Sequence, residues 1–376
     1  MRTTHHTKRL VIKIGSSTLT SAENAIDRAR ITDLARQSAD LVADGWRVAI
    51  VTSAAIAAGL GALSIERRPS DMATLQAAAS VGQCELTGVY AEEFAAHGLL
   101  TSLVLLTRRD TADRTAYLNA RATLDRLLDL GVVPIINEND TVSIEQIRFG
   151  DNDTLAALVA VLVGADQLII LSDIDGLYDA NPRTSADAHL IEEVSRIDQQ
   201  LLDACGGAGS VAGSGGMVTK VAAARVMMSA GIPLVIAHGK KDNVVVRSAR
   251  GESVGTRFVP ADRRHEITPR KLWIALGDAA HGAVTVDGGA KRALIAGGSS
   301  LLPVGVVDVD GRFAEGDIVD VRDSEGYVFA RGRVSVGRDA VELSKGSSSK
   351  ELAANSLLAA VADKPVIHRD DLVVFE

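Results

Sequence analysis

Cysteine is almost missing from this chain of 376 residues: only Cys84 and Cys205 occur, far apart and with no Cys-x-x-Cys pair or histidine at metal spacing. That argues against a disulfide framework and a zinc site, and makes a reducing, cytoplasmic setting the expectation. Long apolar runs are missing too. The longest, LAALVAVLVGA at 155–165, is too short to span a bilayer and reads as a buried helix, and the opening MRTTHHTKRL carries no apolar signal core. Nor is there an excess of positive charge. Forty Lys and Arg against 48 Asp and Glu leave a formal charge of −8, with no general attraction to nucleic acid or an anionic membrane, so any phosphate must be held by a local site. No internal repeat or low-complexity tract occurs.

What is present is a globular composition, 47% hydrophobic and 23% charged, at a length that suggests two domains. Short β-rich runs, RLVIKI (9–14), RVAIVT (47–52), SLVLLT (102–107), VVPII (132–136), QLIIL (167–171) and PLVIA (233–237), alternate with segments at helical spacing such as ITDLARQSADLVADG and NARATLDRLLDLG. Strands that are apolar throughout and separated by helices predict an α/β fold: an open, mostly parallel sheet sandwiched by helices. Several strands run into small or polar residues: Gly15-Ser16-Ser17, Ser53-Ala54, Asn137-Glu138-Asn139-Asp140 and Ser172-Asp173. Ligands of such sheets bind beyond the carboxyl ends of the strands, so these tips are expected to converge on one crevice. Near residue 260 the texture changes. A charged connector containing proline, VPADRRHEITPRK, leads to short alternating pieces such as GAVTVD and YVFARGRVSV, in which helical runs almost vanish. The expected division is a catalytic domain at 1–262, a linker at 263–271 and a small β-rich module at 272–376.

Gly213-Ser214-Gly215-Gly216-Met217-Val218-Thr219-Lys220 opens a helical run. A glycine turn at a helix N-terminus exposes backbone N–H groups and the positive dipole end, and Lys220 adds a full charge, so the turn can cradle phosphate; a plain surface loop is the alternative. The spacing is not that of a P-loop. Lys13 sits on an otherwise apolar strand, where a lysine either turns into a cleft or forms a structural ion pair. Phosphoryl transfer needs positive groups on the moving phosphoryl, and Lys13 and Lys220 qualify. Asp153 fits as the anchor of those lysines or as a metal neighbour. Asp140 and Asn152 offer polar groups to an acceptor that carries ammonium and carboxylate, although Gly150-Asp151-Asn152-Asp153 also reads as a helix cap. Ser53 can hold a carboxylate or cap the next helix. His189 and His238 lack catalytic partners and are read as structural or surface residues.

The motifs VIKIGSS, IVTSAAIAAG, AAASVGQ, LLTRRD, PIINENDTV, FGDNDTLAALVA, LSDIDGLYDANPR and GSGGMVTK, in this order, resemble those of bacterial glutamate 5-kinases within the amino acid kinase superfamily. GSSLLPVGV and PVIHRDDL resemble the PUA domain that many of them carry. The resemblance implies ATP- and Mg-dependent phosphorylation of the γ-carboxylate of L-glutamate to L-glutamyl 5-phosphate, the first step of L-proline biosynthesis, with feedback inhibition by proline. It places Lys13, Ser172, Asp173 and the stretch Ser214, Gly215, Gly216, Met217, Val218, Thr219 and Lys220 on the nucleotide side, with the phosphates under the turns at Gly15 and Gly215-Gly216. Ser53, Asp140 and Asn152 fall on the glutamate side, and Asp153 on the lysine-organising position. No protein side chain is assigned to the metal, which comes with the ATP phosphates. A homo-oligomer, dimer or tetramer, and transient contact with glutamate-5-semialdehyde dehydrogenase are further implications.

Two departures stand out. Where the family has glycine after the substrate serine, this chain has Ala54, adding a Cβ where the backbone approaches substrate or needs φ > 0. Ser102-Leu103 replaces a usual Gly-Gln, and nothing in the sequence explains that change. From Leu272 to Glu376, eleven Lys and Arg face sixteen Asp and Glu, which opposes RNA binding by the β module.

Overall fold

The structure, a computed structural model, describes residues 7–21, 25–107, 113–142, 152–180, 185, 187–204, 216–260, 268–276, 280–356, 358–359 and 362–375. The chain divides into two units, Met1–His265 and Glu266–Glu376.

The first unit is built on eight strands: β1 (Arg9–Ile14), β2 (Arg47–Val51), β3 (Thr101–Leu106), β4 (Val133–Glu138), β5 (Gln167–Ser172), β6 (Glu193–Val194), β7 (Leu234–His238) and β8 (Gly255–Phe258). Their order is β3-β4-β2-β1-β5-β7-β8-β6, parallel from β3 to β7, with only the β7–β8 pair antiparallel. β1 is central and in register with both neighbours, Lys13 lying opposite Val51 of β2 and Ile170 of β5.

Alternation along β1 decides what each residue meets. Leu10, Ile12 and Ile14 share one core with Leu34 and Leu41 of the helix Arg28–Ala43 and with Leu86, Tyr90 and Phe94 of the helix Met72–Ala95. Val11 and Lys13 point to the other face, where the helix Asn152–Leu162 packs on β1 and β5. That helix in turn packs against the helix Met217–Ser229. Because both faces of the sheet are covered, the strands show no polar alternation. The run 155–165 is the buried helix expected of it as far as Leu162, with Leu155 to Ala160 all buried.

One pair of helices is packed backbone to backbone. A Cβ on Gly82 would lie 1.9 Å from the carbonyl oxygen of Ala55, and one on Gly59 would lie 1.7 Å from that of Ala78. Only glycine permits this approach, and it fixes the helix Ala55–Ala62 directly after Ser53.

Two features differ from the sequence reading. β4 does not stop at Ile136: Asn137 and Glu138 are strand residues, and both are buried. The second unit also contains more helix than its texture suggests. Its sheet, β9 (Gly282–Val286), β10 (Val306–Gly311), β11 (Ile318–Arg322), β12 (Val328–Val334) and β13 (Ile367–Val374), runs β10-β9-β11-β12-β13 and is antiparallel except for β9–β11. Between these strands stand the helices Gly288–Ile295, Arg338–Ser344 and Ser349–Ala354, and Pro269–Leu276 precedes them. None exceeds eight residues, too short for a 3.6-residue period to emerge, and Asp287 and Ser348 cap two of them. Ser348 and Glu351 form a reciprocal capping box. Residues 269–271 of the expected linker are helical, and Arg270 pairs with the buried Asp371 of β13.

Candidate active site

Lys13 and Lys220, 207 positions apart, meet on one carboxylate. Lys13 Nζ lies 2.6 Å from Asp153 Oδ1 and Lys220 Nζ lies 3.2 Å from Asp153 Oδ2. Thr219 Oγ1 lies 3.0 Å from the same Oδ2 and 2.8 Å from the Gly216 carbonyl oxygen, with one hydrogen to give to either. Each member comes from a different element: Lys13 from the end of β1, Asp153 from the first turn of Asn152–Leu162, and Thr219 and Lys220 from the first turn of Met217–Ser229. All three charged groups are out of water, with 4% of Lys13, 3% of Lys220 and none of Asp153 accessible. Two ammonium groups share one carboxylate in a place of low dielectric, a setting suited to an anion.

The surroundings fit nucleotide phosphates. Gly15 follows β1, and a Cβ there would stand 3.8 Å from Lys13 Nζ, so glycine leaves that side of the amine open. The helix Met217–Ser229 starts on Gly216, which supplies no side-chain cap, so among the described residues its first N–H groups suit an anionic acceptor. Met217 and Thr219 are half-buried on that turn and Val218 is exposed. Ser172 is buried at the end of β5 and donates to Asp173 Oδ1 at 3.1 Å, while Asp173 is exposed. Ser214 and Gly215 lie outside the described residues, as do Gly150 and Asp151.

Ser53, just past β2, and Asn152, the first residue of the helix Asn152–Leu162, are brought together next to the cluster. Asn152 Nδ2 lies 2.6 Å from the carbonyl oxygen of Thr52, 2.8 Å from Asn137 Oδ1 and 3.3 Å from Ser53 Oγ. Asn137 Nδ2 donates to Gln83 Oε1 at 2.7 Å, and Thr52 Oγ1 stands 3.0 Å from the Tyr90 hydroxyl, whose acidity burial suppresses. Asp140 lies two residues beyond β4, half-buried; desolvation pushes its carboxyl up to about 6, against a smaller opposing pull from Arg68.

The sequence assigns no role to Gln83, Thr52 or Tyr90, and it puts Asn137 at a strand tip of the crevice without giving it one. The signal was there in part. Gln83 falls on the stripe Leu75, Ala78, Ala79, Gly82, Leu86, Val89 of a helix whose stripe is otherwise apolar up to Tyr90, and a polar residue at a core position is informative. His238 Nδ1 accepts from the Lys240 N–H and His189 is exposed beside Asp179, so neither joins the cluster.

Ala54 is the N-terminal flank of the helix Ala55–Ala62 and has φ 79° and ψ 5°, a left-handed conformation. An alanine there is strained where a glycine would not be. Ala54→Gly is expected to stabilise the protein by about 0.5–1 kcal/mol, the relieved strain less the greater entropy of glycine in the unfolded chain. Urea unfolding of the two proteins is the measurement.

The model of the amino acid kinase family matches residues 8–238, and that of the PUA domain matches residues 282–354. The chain belongs to the amino acid kinase family. This amino acid kinase is 46% identical over 368 residues to "Glutamate 5-kinase" of Caldanaerobacter subterraneus subsp. tengcongensis, covering 98% of each chain. It is 46% identical to "Glutamate 5-kinase" of Moorella thermoacetica, covering 98% of this chain and 96% of that one. With "Glutamate 5-kinase" of Marinomonas sp. the identity is 47%, over 98% and 97%. No helix among the described residues of the kinase is long and apolar enough to cross a membrane.

Proposed function

We infer that this amino acid kinase phosphorylates the γ-carboxylate of L-glutamate with ATP, giving L-glutamyl 5-phosphate, the first step of L-proline biosynthesis. The observation that carries phosphoryl transfer is the meeting of Lys13 and Lys220 on Asp153; glutamate as the acceptor follows from the near full-length likeness to glutamate 5-kinases.

The γ-carboxylate is already ionised at neutral pH, so it attacks without a general base. Asp153, held by both lysines and Thr219, is not offered as one. Its work is to hold the two amines where the transferring oxygens pass, and theirs is to neutralise the charge that grows there. Gly15 and the first turn of Met217–Ser229 give backbone room and donors for the phosphates, with Ser172 and Asp173 beside them. Magnesium held by the nucleotide phosphates would supply further shielding of the β and γ oxygens. Ser53, Asp140 and Asn152 receive the amino acid. Feedback inhibition by proline, a homo-oligomeric state and hand-over of the reactive acyl phosphate to the reductase that consumes it belong to the same reading.

ADP release with glutamate, aspartate, N-acetylglutamate and UMP as acceptors tests it. Release with glutamate alone is the expected result, and equal or greater release with another acceptor overturns it. Asp140 makes a second test. If its carboxylate accepts from the substrate ammonium, protonation below about 6 removes that acceptor, so kcat/KM for glutamate should fall as pH drops through about 6. Asp140→Asn should start from a lower value and lose the inflection.

A further inference from the structure

The hydrogen bonds behind Asn152 have a direction. Thr87 Oγ1 donates to the carbonyl oxygen of Gln83 at 2.7 Å, so its lone pairs receive Gln83 Nε2 at 3.1 Å. The Gln83 amide is therefore turned with Oε1 toward Asn137, whose Nδ2 donates to it at 2.7 Å. Asn137 Oδ1 then faces the other way, accepting from the Glu138 N–H at 2.9 Å and from Asn152 Nδ2 at 2.8 Å. The second hydrogen of Asn152 Nδ2 goes to the carbonyl oxygen of Thr52. Both donors of Asn152 are thus used inside the protein, while its Oδ1 accepts from no described group. Flipping the Asn152 amide would set its oxygen against the Thr52 carbonyl and the Asn137 oxygen, two lone-pair clashes in a half-buried place.

We propose that Gln83, through Asn137, is a positioning residue that fixes Asn152 with its carbonyl toward the substrate, so that Asn152 reads the α-ammonium and not the α-carboxylate. The inference rests on the reading that glutamate occupies the end of the crevice at Ser53, Asp140 and Asn152. It divides the substrate between two kinds of group. Asn152 Oδ1 and the Asp140 carboxylate accept from the ammonium. Ser53 takes the carboxylate: its oxygen lies within reach of Asn152 Nδ2, its own O–H has no acceptor among the described residues, and the adjoining helix Ala55–Ala62 starts with no side-chain cap. Gln83 and Asn137 are 8% and 2% accessible, so solvent cannot replace the bonds they make.

The test compares L-glutamate with glutarate, the same dicarboxylate lacking the amino group, in wild type, Gln83→Met and Thr87→Val. Loss of one oriented acceptor for a charged donor is expected to raise KM for glutamate about tenfold in Gln83→Met, with the inhibition constant of glutarate and KM for ATP unchanged within about twofold. Thr87→Val releases the far end of the relay and should move glutamate in the same direction by less; it decides the matter if Gln83→Met does not fold. Equal weakening of glutamate and glutarate, or no change in either, overturns the inference while leaving the glutamate kinase reading intact. A wild type that releases no ADP with glutamate overturns both.

Discussion

Lys220→Ala should lower kcat by about a hundredfold or more, on the scale of a lost transition-state donor, with little change in KM for glutamate. The expectation follows from the charges. In the intact cluster two ammonium groups face one carboxylate, and both amines can serve the phosphoryl oxygens. Without Lys220 the pair Lys13–Asp153 is neutral. Asp153 itself is still held, by Lys13 on Oδ1 and by Thr219 on Oδ2, so the fold should survive the change. Steady-state kinetics beside urea unfolding separate the two effects. Near-normal turnover in a folded Lys220→Ala protein would remove Lys220 from the chemistry.

Asp153→Asn should act on stability first. It leaves two buried ammonium groups facing an amide, and losing one partner of a buried ion pair costs about 3–5 kcal/mol. The cost arises from uncompensated charge and not from lost volume, since asparagine is nearly isosteric. The double variant Asp153→Asn/Lys220→Met should therefore be more stable than Asp153→Asn alone, because it removes one of the two ammonium groups that face the amide. Urea midpoints of the three proteins give the answer; a double variant less stable than Asp153→Asn alone would show that repulsion between the lysines is not the source of the loss.

How much of this was legible beforehand varies residue by residue. Lys13 announced itself because an ammonium group on an apolar central strand needs a reason. Lys220 and Gly216 announced themselves through a glycine turn opening a helix, and Gly216 stands there as an N-cap with no side chain. Ala54 did so by departing from a glycine, and its φ of 79° supplies the reason glycine is favoured there. Asn137 was visible in the sequence but read as lying past the strand. A run of Val, Pro and Ile ending in Asn and Glu looks like a strand stopping at its last apolar residue, yet β4 continues because its neighbour β3 pairs Leu105 with Asn137 and Leu106 with Glu138. Gln83 was hidden for a related cause: one amide on a long apolar stripe reads as an exception until the structure supplies its partner.

The sequence by itself determined the class of fold, because apolar strands interrupted by helical periods have few ways to bury both faces of a sheet. It also determined which residues carry charge into that sheet. Only the tertiary structure decided that Lys13 and Lys220 share Asp153, and that Gln83, Asn137 and Asn152 form one directed relay. Those contacts join residues from 15 to 140 positions apart, and local sequence holds no record of which strand end will face which helix start. That pairing is set by strand order and by close contacts such as Gly59 and Gly82, where the absence of a side chain lets two helices meet.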